Sequence, residues 1–145
     1  YDTTTDEQGE LYRISTNNTN ELIKIYFYEE YIFIGTEKGL FYMPYTNTDP
    51  IFLTEYSPSS GAFDYYNGKV YFTVEADAKA NLISVDVKTQ EKNEVVSLVE
   101  SNGTVRTYTE IAICADGYYY TEPNNTNGGL FYHSFNQTEE IRIWN

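Results

Sequence analysis

One histidine, one cysteine and a surplus of carboxylates are the side chains here that could carry out chemistry. His133 shares a repeat position with Ile14, Met43 and Val85, an inward-facing one, so a core histidine with a hydrogen-bonded ring is expected rather than a catalytic base or metal ligand. A Ser-His-Asp arrangement would have to be built around that buried position, and no G-x-S-x-G elbow occurs. Cys114 lies between Ile113 and Ala115 and reads as a small buried hydrophobe rather than a nucleophile. One Cys and one His hold no zinc without carboxylates or another chain. Glu29, Glu30, Asp49, Asp64, Asp86, Asp116, Glu122, Glu139 and Glu140 supply carboxylates. Hydrolysis of a glycoside needs two of them facing one another across a cleft, whereas their default role is solvated loop charge. Glu75 and Asp77, in Glu75-Ala76-Asp77, are the candidate Ca²⁺ ligands, without the spaced oxygens of a dedicated loop; no other cofactor is expected. Tyr118, Tyr119 and Tyr120 form the densest aromatic run. In a strand they alternate faces, so Tyr118 and Tyr120 share one side and are the candidates for stacking on a sugar, with packing between sheets as the alternative. Sequons begin at Asn17, Asn102, Asn124 and Asn136. All fall in expected loops, and in a secretory eukaryote they would carry glycans; turn chemistry also accounts for Asn there.

Charge narrows the partners. Asp and Glu number 22 against 9 Lys and Arg, for a net charge of −13. Nucleic-acid binding needs clustered cations, and these are scattered singly from Arg13 to Arg142. An anionic membrane surface would repel the chain, and no apolar run is long enough to span a bilayer. The acidity serves solubility or, more sharply, a cationic partner or Ca²⁺. The single cysteine excludes an intrachain disulfide. The chain starts at Tyr1 without a Met, so a segment of a longer protein is expected, and a missing leader says nothing of compartment.

The elements that must position these residues are strands. With 16 Tyr and 8 Phe against 1 Trp, the composition suits a pleated, half-buried surface and is too apolar for disorder. Four segments align without gaps: Leu11–Thr16, Leu40–Tyr45, Leu82–Val87 and Leu130–Phe135. Their period-two alternation marks a strand with one buried face. Another strand precedes three of them: Phe33-Ile34-Gly35-Thr36, Val70-Tyr71-Phe72-Thr73 and Tyr118-Tyr119-Tyr120-Thr121. Asn67-Gly68 and Asp116-Gly117 stand before two of these as two-residue hairpin turns, and Glu29-Glu30, a poorer turn, before the third. With an apolar strand before each turn and a short strand after each Leu segment, the unit is a four-stranded antiparallel meander.

The expected fold is therefore all-β: consecutive four-stranded antiparallel blades of a β-propeller, about three and a half of them, within a larger propeller. The chain divides into a partial blade at 1–25 and blades at 26–55, 62–100 and 108–145. Two irregularities stand against this regularity. Leu11 to Leu40 is short for four strands, and Pro44 removes a ladder donor inside a repeat strand.

Tyr119-Tyr120-Thr121-Glu122 resembles the tetrapeptide of YWTD-type propellers, with Tyr for Trp and Glu for Asp; Tyr71-Phe72-Thr73 is a looser copy. Leu11–Thr16 and its following polar turn resemble related bacterial cell-surface propeller repeats. These are repeat residues, so the likeness implies a fold. Such propellers are mostly extracellular recognition modules, typically of six blades; this chain lacks the Trp and has about half the blades. An open half-propeller leaves sheet faces bare, so the remaining blades are expected from the same polypeptide or another chain. The function expected is a non-enzymatic, secreted or cell-surface segment binding a protein or glycan. A carbohydrate-active enzyme using loop carboxylates and an architectural part of a surface assembly are the alternatives.

Overall fold

The computed structural model describes residues 24–47, 49–58, 61–76, 79–123, 128–137 and 140–144. Leu11–Thr16 and nearly all of the expected partial blade lie outside them. Among the described residues the regular elements are all strands. They form three four-stranded antiparallel meanders, each in simple sequential order. The first holds β1 (Lys24–Phe27), β2 (Tyr31–Thr36), β3 (Gly39–Pro44) and β4 (Ile51–Thr54). The second holds β5 (Phe63–Tyr66), β6 (Lys69–Ala76), β7 (Lys79–Asp86) and β8 (Lys92–Ser97). The third holds β9 (Glu110–Ile113), β10 (Gly117–Glu122), β11 (Gly129–Ser134) and β12 (Glu140–Trp144).

Local chemistry explains the turns, with one correction. Asn67 and Gly68 have φ of 49° and 80°, as a two-residue primed turn requires. Asp116-Gly117 is not such a turn. Cys114 N–H donates to Gly117 O at 2.9 Å, so the two-residue loop is Ala115-Asp116 and Gly117 opens β10. Gly117 is needed for closeness instead: a Cβ there would strike the carbonyl oxygen of His133 on β11. Glu29-Glu30 does close a two-residue loop, since Tyr28 N–H donates to Tyr31 O at 2.9 Å. Pro44 ends β3 beyond the β4 pairing, which stops at Tyr42, so its missing donor breaks no ladder bond to β4.

Register shows how strictly the three sheets repeat. Leu40, Leu82 and Leu130 pair with Gly35, Thr73 and Thr121. This puts Ile32-Phe33-Ile34-Gly35 level with Val70-Tyr71-Phe72-Thr73 and Tyr118-Tyr119-Tyr120-Thr121, one residue earlier in the first sheet than the sequence alignment had it. Hydrophobic runs such as Ile32-Phe33-Ile34 carry no alternation to fix the frame; the leucine partner does. Each outer strand also carries a bulge at the same step, after Leu40, Leu82 and Leu130. The extra residues are Leu53, Val95 and Ile143.

Among the described residues the second sheet meets the first on one face and the third on the other. The following face of the first sheet (Phe33, Leu40, Leu53) packs on the preceding face of the second (Phe63, Val70, Phe72, Ile83, Val85). Ala80 and Leu82 on the second pack against Ile111, Ile113, Tyr118 and Tyr120 on the third, with Tyr108 from the connecting segment wedged in. Ile32, Ile34 and Met43 form a third cluster on the preceding face of the first sheet. Burying one such side chain contributes about 1.5–3 kcal/mol, so the two interfaces between sheets are the core of the molecule.

Candidate functional site

The turns of the first two sheets converge on a groove of about 710 Å³. The β1–β2 turn supplies Tyr28, Glu29, Glu30 and Tyr31; the β5–β6 turn supplies Tyr65 to Gly68; the β7–β8 turn supplies Asp86 to Lys88. The Tyr65 ring stands 5.6 Å from Tyr31 at 76° and 5.7 Å from Tyr28 at 62°. Its hydroxyl donates to Glu30 Oε2 at 3.3 Å. Burial, and then the Glu30 carboxylate, push the Tyr65 phenol up to about 12. Asp86 Oδ1 accepts the Lys88 and Thr89 amides at 2.9 Å each. The Thr89 amide first, helped by the Lys88 amide, holds this carboxyl below its usual range against the opposing effect of burial. The groove is thus walled by tyrosines and rimmed by three carboxylates against the single Lys88.

Behind the groove, Asp64 ties the three sheets together. Its Oδ2 accepts Ile113 N–H from β9 at 2.6 Å. Its Oδ1 accepts Tyr65 N–H at 2.8 Å and the Tyr28 hydroxyl at 3.2 Å. At the second junction Arg106, on the segment between β8 and β9, is clamped. It donates to Glu122 Oε1 at 2.6 Å, to both oxygens of Glu140 at 2.8 and 3.1 Å, and to the Tyr120 hydroxyl at 2.8 Å. Its guanidinium also lies 5.4 Å from the Tyr120 ring and 5.8 Å from that of Tyr108. Burial opposes the charge, but the Glu140 and Glu122 hydrogen bonds outweigh it and raise the Arg106 pKa further.

The far face of the third sheet is open. Tyr119 is 40% exposed, Ile141 52%, Ile143 49% and Trp144 74%. In the first sheet the bulge residue equivalent to Ile143 is Leu53, 2% exposed against the second sheet. In the second it is Val95, packed against the third.

Few of the residues singled out in the sequence meet one another. Tyr118 and Tyr120 are 0% and 1% exposed and fill the junction of the second and third sheets. Tyr120 stacks on Tyr108 at 4.1 Å. Neither ring offers a face to a sugar in this packing; the exposed member of the run is Tyr119. His133 is half-buried and stacked on Tyr118 at 5.3 Å. Its buried Nδ1 has no hydrogen-bond partner, so the expected hydrogen bond is missing at that atom. The Cys114 thiol is half-buried, 3.3 Å from Asp116 Oδ1 and from Gly117 O. Burial, then Asp116, push it up, away from the reactive thiolate. Glu75 is exposed, and Asp77 lies outside the described residues. Among the described residues, no group of three or more His, Cys, Asp or Glu side chains could hold a metal ion. Asn102 and Asn136 sit exposed on turns, while Asn17 and Asn124 lie outside the described residues. The sequence reading missed the groove tyrosines and Arg106. Tyrosines bracketing a hairpin turn, as in Tyr28-Glu29-Glu30-Tyr31, were the available signal for the former; nothing local marks Arg106.

No family model matches the chain, and neither does any curated protein. Among solved structures it is similar to TolB from Acinetobacter baumannii, with a TM-score of 0.58 and 10% identity. The likeness covers 79% of this chain and 29% of that one. It shows the fold: consecutive four-stranded antiparallel blades of a β-propeller. This chain spans under a third of its solved relative. Among the described residues no helix is long and apolar enough to cross a membrane.

Proposed function

We propose that this chain is part of a non-enzymatic β-propeller that acts as a recognition scaffold for a protein partner. Its blades run over 26–55, 62–100 and 108–145, and its remaining blades come from the same polypeptide or from another chain. The observation that carries this reading is the open face of the third sheet. Ile143 and Tyr119 occupy the repeat positions of Leu53 and Phe33 in the first sheet and of Val95 and Tyr71 in the second, through which each of those sheets seats the next. A contiguous apolar face of that kind marks an interface. Light scattering of the full chain tests it: association is expected, weakened by Ile141→Lys with Ile143→Lys. A stable wild-type monomer with this face bare would overturn the reading.

An extracellular or cell-surface setting belongs to the same proposal, supported by the exposed sequons at Asn102 and Asn136. Expression in secretory eukaryotic cells, followed by enzymatic deglycosylation, should lower the mass of the wild type and leave an Asn102→Gln, Asn136→Gln variant less changed. A glycan array reports on a glycan partner, and hydrolysis of chromogenic sugars by the full-length protein would replace the scaffold reading with an enzyme.

A further inference from the structure

We infer that the groove between the first two sheets seats an arginine side chain carried on an extended basic segment of the protein partner. The inference deepens the recognition reading above and rests on it. The molecule shows how it holds a guanidinium: Arg106 is gripped by two tyrosines and two glutamates at the junction of the second and third sheets. The groove also brings two tyrosines and two carboxylates together at the junction before it, with the rings steep where those at Arg106 are stacked. Tyr31 and Tyr65 stand steeply to one another, Glu30 is anchored on the Tyr65 hydroxyl, and Asp86 keeps Oδ2 free of the turn amides that occupy Oδ1. No arginine lies among its lining residues. Rings set at steep angles do not make the flat platform on which a sugar stacks, but they do box a cation. Planar guanidinium also bridges carboxylates in a way an ammonium cannot. The surplus of negative charge over the whole chain, −13, draws a basic segment towards the molecule.

The experiment is fluorescence anisotropy of the full chain with a short labelled glycine–serine peptide carrying arginine. Matched peptides carry lysine, or citrulline, which keeps the shape without the charge. The arginine peptide should bind, the lysine peptide more weakly and the citrulline peptide not detectably. Binding should fall about tenfold in Glu30→Gln with Asp86→Asn, and about as much when salt shortens the Debye length. A control variant, Glu37→Gln with Glu94→Gln, removes equal charge elsewhere; circular dichroism verifies that both variants fold. Equal loss in the control would show binding to diffuse charge and overturn the inference. So would citrulline binding as well as arginine, competition by a neutral tetrasaccharide, or no binding of arginine. Light scattering separates the two claims: if the chain still associates through its third sheet while the arginine probe fails, only the groove assignment falls.

Discussion

At the scale of single residues, two side chains hold the sheets to one another, and each makes a distinct prediction. Asp64→Ala strips the acceptor from the partly buried Ile113 amide and leaves the Tyr28 hydroxyl only Phe63 O, 3.3 Å away. An orphaned donor costs about 1–3 kcal/mol, so the variant should lose about that much in chemical denaturation. Retention of wild-type stability would remove Asp64 from its linking role. For Arg106 the comparison is between two replacements. Leucine leaves Glu122 and Glu140 without their partner and should lower stability by about 2 kcal/mol. Lysine keeps the charge but cannot reach both glutamates and the Tyr120 hydroxyl as a fork does, so it should recover less than half of that loss. Neither residue stood out in the sequence. Asp64 was one carboxylate among many and Arg106 one scattered cation, because what makes them matter is the meeting of segments 16 to 49 residues apart, which no local pattern encodes.

At the scale of elements, the meanders were legible because strand and turn chemistry are local. Leu40–Tyr45, Leu82–Val87 and Leu130–Phe135 fall on β3, β7 and β11, and Asn67-Gly68 forms its turn, where alternation and turn residues put them. What was not legible was frame. The first sheet slid by one residue because Ile32, Phe33 and Ile34 are all apolar, and Asp116-Gly117 passed for a turn because dipeptide identity cannot distinguish positive φ from tight packing. The two glycines give a test. Gly68→Ala strains a φ of 80° but meets open space, so it should cost about 1 kcal/mol. Gly117→Ala has no φ penalty but drives a methyl group into backbone on β11, and should cost more. Thermal melting of the pair decides the matter, and the reverse order would restore the Asp-Gly turn. The candidate ligand rings fared differently: Tyr118 and Tyr120 were paired correctly on one face, but which face meets another sheet depends on packing that the strand alone does not state.

At the scale of the whole molecule, aromatic burial sets the response to alkali. Burial, then Glu110, push the Tyr26 phenol up to about 12, and burial with Glu30 does the same for Tyr65; Tyr28 and Tyr108 are raised as well, again chiefly by burial. Unfolded tyrosines ionise near 10. Between 10 and about 12 the unfolded chain therefore binds fewer protons than the folded one, and stability falls as pH rises. Denaturation midpoints should drop across that window while tyrosinate absorbance lags behind that of a denatured control; a flat midpoint would mean these rings are reached by solvent. The Asp64 carboxylate has a last consequence. Because it collects donors from β1's turn, its own strand and β9, neither the first nor the third meander can peel away from the second without costing this carboxylate a partner. The three should open as one cooperative unit, so amide protons of Phe33, Phe72 and Ile111 should exchange through a common event rather than blade by blade.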